Sequence, residues 1–249
     1  MVVRQPKHQK KKSSDIFDLI DELIRKSKET IRHEASSKKI ELYAEGLKDK
    51  LKQAQFAIER MNSSLSDTDS SSGKVGFSTL EKAHFYCDAF WAFSYSSLDV
   101  TAQIINQVQG LQFGEDNVSF KGICEKVDSN SPIRHKMERI RKMRFFKNLE
   151  KYRNCCLHRR SIYIKRDYAG VEHTAGYDVS SADDVIPGST VIVKGDTIEV
   201  ITTRLTLCDD PCRLTPRTGQ NRELIEYCSK SFGHLCGALG NLLTSLLTQ

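Results

Sequence analysis

Between positions 15 and 61 the apolar residues fall at steps of three and four. Ile40, Tyr43, Leu47, Leu51, Ala54, Ile58 and Met61 make one stripe, the mark of a helix with a single buried face. Ser14 can cap its start, and EASSKK at 34–39 is where it would bend or split. Residues 62–76, NSSLSDTDSSSGKVG, are Ser-rich and poor in apolar side chains, and read as a loop. Ser78-Thr79-Leu80-Glu81 is a capping box, and the helix it opens should run to Gln109 and stop at Gly110. That helix carries Phe85, Tyr86, Phe90, Trp91, Phe93 and Tyr95, so nearly every face is apolar and it belongs at the centre of a bundle. Its polar residues Asp88, Ser94, Ser97 and Asp99 must then find partners, because an unpaired polar group is costly to bury.

After a loop over 111–132 with a short helix near 118–127, Pro132 suits a helix start. A third long helix follows from Ile133, with Met137, Ile140, Leu149, Tyr152 and Cys156 on one face and Phe145 beside it. It ends in KYRNCCLHRR at 151–160. The texture then changes. SIYIKR (161–166) is β-like, Pro187-Gly188 marks a turn, and VIVKGDTIEVITT (191–203) reads as a hairpin around Lys194-Gly195-Asp196. From Asn221 to Leu247 the chain is helical again, with Ile225, Cys228, Phe232, Leu235, Leu239, Leu242 and Leu246 forming a seam that fits a bundle or a homodimer equally.

Charge changes this picture. The chain carries a net +6, but residues 1–14 hold five basic and no acidic side chains, and residues 133–166 hold thirteen basic against two acidic. The rest of the chain is therefore acidic on balance. A positive field concentrated on one helix favours a polyanionic partner, nucleic acid first. The tail KHQKKK reads more simply as solvated charge. Residues 1–14 have no apolar segment of the secretory kind, and no apolar run approaches a membrane span. The expected compartment is the cytoplasm, where the eight cysteines stay reduced.

The candidate chemistries narrow quickly. Phosphate-binding loops of the GxxxxGK[ST] or GxGxxG kind, a nucleophile elbow and a His-Glu-x-x-His helix are all missing from the sequence. Cys208 and Cys212 are one close pair, and Cys155, Cys156, His158, Cys228, His234 and Cys236 offer further donors, but most of these fall at core-facing helical positions. No metal or cofactor is expected. That leaves Arg153, Asn154 and His158. Arginine is a permanent forked cation suited to phosphate, histidine can take and give a proton near neutral pH, and asparagine can hold a hydroxyl or an imidazole. Together they suit phosphodiester cleavage in which a 2′-hydroxyl attacks. Read without that chemistry, Arg153 is one basic residue among many and His158 gains from a helix C-terminus.

Arg-Asn-x-x-x-His at the end of a long helix resembles the signature of HEPN domains, Arg followed after four to six residues by His, with a polar residue next to the Arg. The aromatic-rich helix FYCDAFWAFSYSSLDVTAQIINQV (85–108) is similar to the second helix of such proteins. The resemblance covers roughly 15–160 and the last helix. A looser match, Arg166 to His173, leaves helical texture at Gly170 and is set aside.

The resemblance implies a mainly α fold: an antiparallel HEPN-like bundle with a small β-hairpin insertion before the C-terminal helix. Residues 1–14 would be a basic disordered tail, 15–160 the bundle with its Ser-rich loop at 62–76, 161–219 the β-rich insertion, and 220–249 a C-terminal helix on the bundle or a dimer interface. It also implies a metal-independent endoribonuclease, working as a homodimer in toxin–antitoxin or antiphage defence, with an antitoxin or regulatory protein as a further partner. His158 would activate the 2′-hydroxyl or protonate the leaving oxygen, Arg153 would hold the phosphate, and Asn154 would orient His158 or the hydroxyl. Arg141, Arg144, Lys147, Lys151, Arg159 and Arg160 would track the RNA backbone. HEPN toxins silenced by nucleotidyltransferase antitoxins carry a Tyr two positions after the His, and here that position is Arg160. The rival reading is a non-catalytic HEPN-like module that binds RNA, nucleotide or protein. A third is an interaction protein that dimerises through 221–247.

Overall fold

The computed structural model describes residues 7–31, 34–66, 77–158, 164–175, 189–194, 197–208 and 221–248. Its helices are α1 (Lys7–Thr30), α2 (Glu34–Ser66), α3 (Phe77–Val108), α4 (Phe120–Lys126), α5 (Pro132–Lys142), α6 (Arg144–His158) and α7 (Leu224–Leu247), with a 3₁₀ turn at Glu115–Asn117. The described part is thus mainly helical. No helix within it is long and apolar enough to cross a membrane.

The long stripe of α2 packs along α3, and Ile40, Ala44, Leu47, Leu51, Ala54, Ala57 and Met61 are all buried. The N-terminal helix starts at Lys7, ahead of the Ser14 cap and inside the stretch expected to be a disordered tail. Lys and Gln are good helix formers, and nothing in KHQKKK breaks a helix. The break between α1 and α2 comes just before the EASSKK stretch, where α2 begins at Glu34. At its far end α2 continues to Ser66, so the first five residues of the expected Ser-rich loop are helical, while 67–76 lie outside the described residues.

α3 is the central helix, touching α2, α4, α6 and α7. It begins at Phe77, one residue before the expected cap. Its end is closed as the sequence implies. Gly110 adopts φ +60°, the Leu111 amide donates to the Asn106 carbonyl (3.0 Å) and the Gly110 amide to the Gln107 carbonyl (3.3 Å), a Schellman closure that needs a residue tolerant of positive φ. Asn106, itself buried, then pins the following loop, exchanging hydrogen bonds with the backbone of Phe113 (2.9 and 3.2 Å). Phe85 departs from the expected all-apolar burial and stands 68% exposed. Of the polar residues in the helix, Ser97 donates to the Ser94 carbonyl at 2.8 Å and Asp99 accepts from the Phe120 amide at 3.1 Å. The Ser94 hydroxyl is buried with no partner among the described residues.

The expected third long helix is two helices. Ser131 caps α5 and Pro132 occupies its first turn, but the chain leaves helical geometry at Met143 (φ −66°, ψ 140°). The reason lies in the phase of the apolar positions. Ile133, Met137 and Ile140 are buried on one face, and a straight helix would bring Arg144 and Lys147 to that face next. Restarting at Arg144 turns Phe146, Leu149 and Tyr152 inward instead. Phe146, rather than Phe145, is therefore the buried aromatic of this segment.

α7 packs into this bundle, mainly along α1, with contacts to α2, α3 and α5. Its seam residues Cys228, Phe232, Leu235, Leu239, Leu242 and Leu246 are buried. Two of its carbonyls receive cations: Lys26 Nζ donates to that of Leu247 at the helix end (2.8 Å) and Lys136 Nζ to that of Asn241 further back (2.7 Å). In place of the lone small hairpin expected over 191–203, the backbone pairs four antiparallel strands, β1 (Ile164–Ala175), β2 (Ser189–Lys194), β3 (Thr197–Cys208) and β4 (Asn221–Glu223). β3 is central, with β1 on one side and β2 and β4 on the other, and the β1–β3 register shifts between Tyr168 and Gly170. Lys194 lies in β2, while the hairpin turn at Gly195-Asp196 is outside the described residues.

Candidate active site

The KYRNCCLH stretch is the last two turns of α6. Its inner face is fastened by aromatic packing. Tyr152 stacks on Trp91 of α3 (centroids 4.4 Å, planes 14° apart), Tyr227 of α7 closes against both, and Asn148 donates to the Tyr227 hydroxyl at 2.7 Å. This fixes the rotation of α6, and with it the direction of every polar residue on it.

The helical repeat then sorts the candidate residues onto two faces. Arg144, Lys147, Lys151, Asn154 and position 158 follow one another at steps of three and four, so they share a stripe. Arg144, Lys147 and Lys151 are exposed, and none of the three closes an ion pair among the described residues. Arg153 instead continues the inner row of Phe146 and Leu149 and is half-buried against α3. Its Cζ lies 5.0 Å from the centroid of the Tyr95 ring, and its Nη1 donates to Asn154 Oδ1 at 3.0 Å. Asn154 is thus the link between the two faces.

Arg141, grouped with the RNA-tracking residues by sequence, is elsewhere: it lies before the break at Met143, half-buried, and pairs with Glu125 of α4 at 3.5 Å. Arg159 and Arg160 lie outside the described residues, as do the side chains of Cys155, Cys156 and His158. Cys87, Cys124, Cys228 and Cys236 are buried free thiols, and Cys212 of the CDDPC pair lies outside the described residues. Among the described residues no group of three His, Cys, Asp or Glu side chains comes together as a metal site would require.

Two residues of α3 join the site that the motif alone did not reveal. Tyr95 lies under the guanidinium, and Asp99 is one turn further along the same helix. Burial pushes the Asp99 carboxyl above its ordinary range, while the Phe120 amide and the Arg153 charge pull it back. Burial likewise pushes the Tyr95 phenol up, with the Asp99 and Glu150 carboxylates adding to the rise and Arg153 opposing it. The signal for Asp99 was present in the sequence, as an acidic residue in an apolar helix that required a partner. Tyr95 carried no such signal, being one aromatic among six.

Arginine over an aromatic face keeps its in-plane N–H donors available, since the ring covers only the flat side. The arrangement can therefore hold an anion at the edge of the guanidinium, next to a strip of exposed cations. No curated protein and no solved structure matches the chain. The family model of Cthe2314-like HEPN domains matches residues 43–187, more than half of the sequence, from within α2 through α6 and into the sheet. The chain belongs to the HEPN family.

Proposed function

We propose that this protein is a metal-independent endoribonuclease that cleaves RNA by attack of a ribose 2′-hydroxyl. The observation that carries the reading is the outer stripe of α6, where Arg144, Lys147 and Lys151, exposed and without an acidic partner among the described residues, lead at helical steps into Asn154 and His158. A phosphodiester backbone laid along that stripe would bring one phosphate to the motif. His158 takes the proton of the 2′-hydroxyl or gives one to the leaving oxygen, and Arg153 stabilises the charge that develops on the phosphate. The hydrogen bond from Arg153 to Asn154 gives Asn154 a second duty besides orienting His158: it sets the angle of the guanidinium. The product would end in a 2′,3′-cyclic phosphate. The protein acts as a homodimer whose two motifs face one cleft, in a cytoplasmic toxin–antitoxin or antiphage role with an antitoxin or regulatory partner. The bundle over 15–160 carries the activity, and the β segment within 161–219 is an insertion ahead of the C-terminal helix.

The test is incubation of the purified protein with mixed RNA in EDTA, beside His158→Ala and Arg153→Ala. Cleavage by the wild type alone, leaving cyclic-phosphate ends, supports the reading. RNA binding without cleavage supports the non-catalytic module instead, and equal cleavage by all three removes Arg153 and His158 from the chemistry.

A further inference from the structure

Arg153 is a candidate side chain whose surroundings can be followed outward through the bundle, and those surroundings form a closed circuit. Below the guanidinium is the Tyr95 ring, 5.0 Å from Cζ. That ring is held from the side by Phe146 of α6 (centroids 6.4 Å, 35°), and Phe146 in turn packs on Phe120 of α4 (5.8 Å, 41°). The Phe120 amide donates to Asp99, one turn along α3 from Tyr95, so the circuit returns to the helix it left. A ring buttressed by α6, and through Phe146 by α4, is a fixed surface, whereas an arginine side chain left to itself has many rotamers to lose.

We propose that Tyr95 is a positioning residue for the α6 site: its ring face seats Arg153 so that the donor edge not taken by Asn154 is held ready for a phosphate. The proposal rests on the ribonuclease reading for its substrate, though not for its geometry. Three features of the seat support it. The ring takes the flat side of the guanidinium, and Asn154 takes one of its five donors, so paired donors remain for two phosphate oxygens. The Asp99 carboxylate lies near enough to feel the Arg153 charge yet closes no salt bridge with it among the described residues, so this acid does not already occupy the fork. The half-buried setting strengthens the cation–ring attraction relative to open water.

The ring, not the hydroxyl, is the working part, which makes the proposal separable from ordinary packing. Tyr95→Phe should cleave mixed RNA as the wild type does. Tyr95→Leu and Tyr95→Met fill similar space without a π face, and each should lose roughly 3- to 30-fold in kcat. The Nε–Hε resonance of Arg153, shifted by the ring beneath it, should move in Leu and Met and stay in Phe. Retention of full kcat in whichever of Leu and Met folds, with the resonance moved, would overturn the positioning role. Loss in Phe equal to that in Leu would overturn the ring as the seat.

Failure of the wild type to cleave would count against the ribonuclease reading alone. The seat would then be decided by binding of an uncleavable DNA oligonucleotide: Tyr95→Met and Arg153→Ala should each weaken it, and the double variant no more than Arg153→Ala. Additive losses, or none from Tyr95→Met, would overturn it.

Discussion

Trp91 and Tyr95 lie one turn apart on α3, and each presents its ring to a neighbouring residue of α6, Tyr152 and Arg153 respectively. The two platforms differ in what closes over them. Tyr227 of α7 packs against Trp91 and Tyr152, and Asn148 secures the Tyr227 hydroxyl, so the first is sealed, with Trp91 and Tyr152 each 1% exposed. The second is held by α6 and α4 and stays half-open. One helix therefore carries a sealed contact and a half-open one side by side, the difference being that α7 packs on the rings of the first.

The contrast is most vulnerable at the sealed platform. Trp91→Ala should cost about 3–5 kcal/mol, because it removes a large buried ring and leaves Tyr152 and Tyr227 facing a void. At about 2–4 °C per kcal/mol for a chain of this size, the melting temperature should fall by roughly 6–20 °C. A fall of only a degree or two would mean that the first platform is no more structural than the second.

Alkaline pH tests the same interior by another route. Burial pushes the Cys236 thiol from 9.0 up to about 12, and burial with help from Glu115 pushes the Tyr43 phenol from 10.0 up to about 12. The folded chain holds both protons more tightly than the unfolded chain. The stability they confer is therefore complete below about pH 9 and is lost as pH rises toward about 12. Urea midpoints measured across that range should decline, and Cys236→Ala should make the first part of the decline shallower. An unchanged slope in Cys236→Ala would place the loss on other groups.

The remaining stability effects are smaller. Asn148→Ala, which removes the hydrogen bond tying α6 to the Tyr227 hydroxyl, should cost about 1 kcal/mol in urea unfolding. Smallest of all in stability is the double change Lys147→Ala with Lys151→Ala on the outer stripe, within about 0.5 kcal/mol of the wild type. Its effect should appear in binding instead. With two fewer lysines to neutralise phosphates, the plot of log affinity for single-stranded RNA against log salt should be shallower by about 1.4. An unaltered slope would remove this stripe from the RNA path.

How far these regions could be read from sequence follows the same division. The bundle was legible because its signals are local and repeated: the stripe of α2, the Gly110 stop, Pro132 in the first turn of α5, and the seam of α7. The break at Met143 was not, because Met137, Ile140, Leu149 and Tyr152 all fit helical spacing within their own halves, and only the jump in phase between Ile140 and Phe146 separates them. Phe145 and Phe146 were for that reason interchangeable on paper. The motif Arg153-Asn154-x-x-x-His158 was visible as a string. Its division between two faces needed the rotation of α6, which Trp91 and Tyr227 set through Tyr152 from 61 and 75 residues away in the chain. Tyr95 stayed hidden because nothing in an aromatic run marks which ring will meet a cation.

The packing of α1 against α7 has a consequence for how the chain is made. The groups joined there, Lys26 to the Leu247 carbonyl and Leu19 beside Gly240, are more than 200 residues apart. A ribosome that has released α1 must translate everything from Glu34 to Glu223 before α7 arrives to cover the face of α1 that carries Leu19 and Lys26. During that interval the nascent chain carries an apolar stripe that α2 covers only in part, beside a run of lysines. Closure of the bundle is then a late, high-contact-order event, and a holding chaperone that engages amphipathic basic helices would find its substrate there.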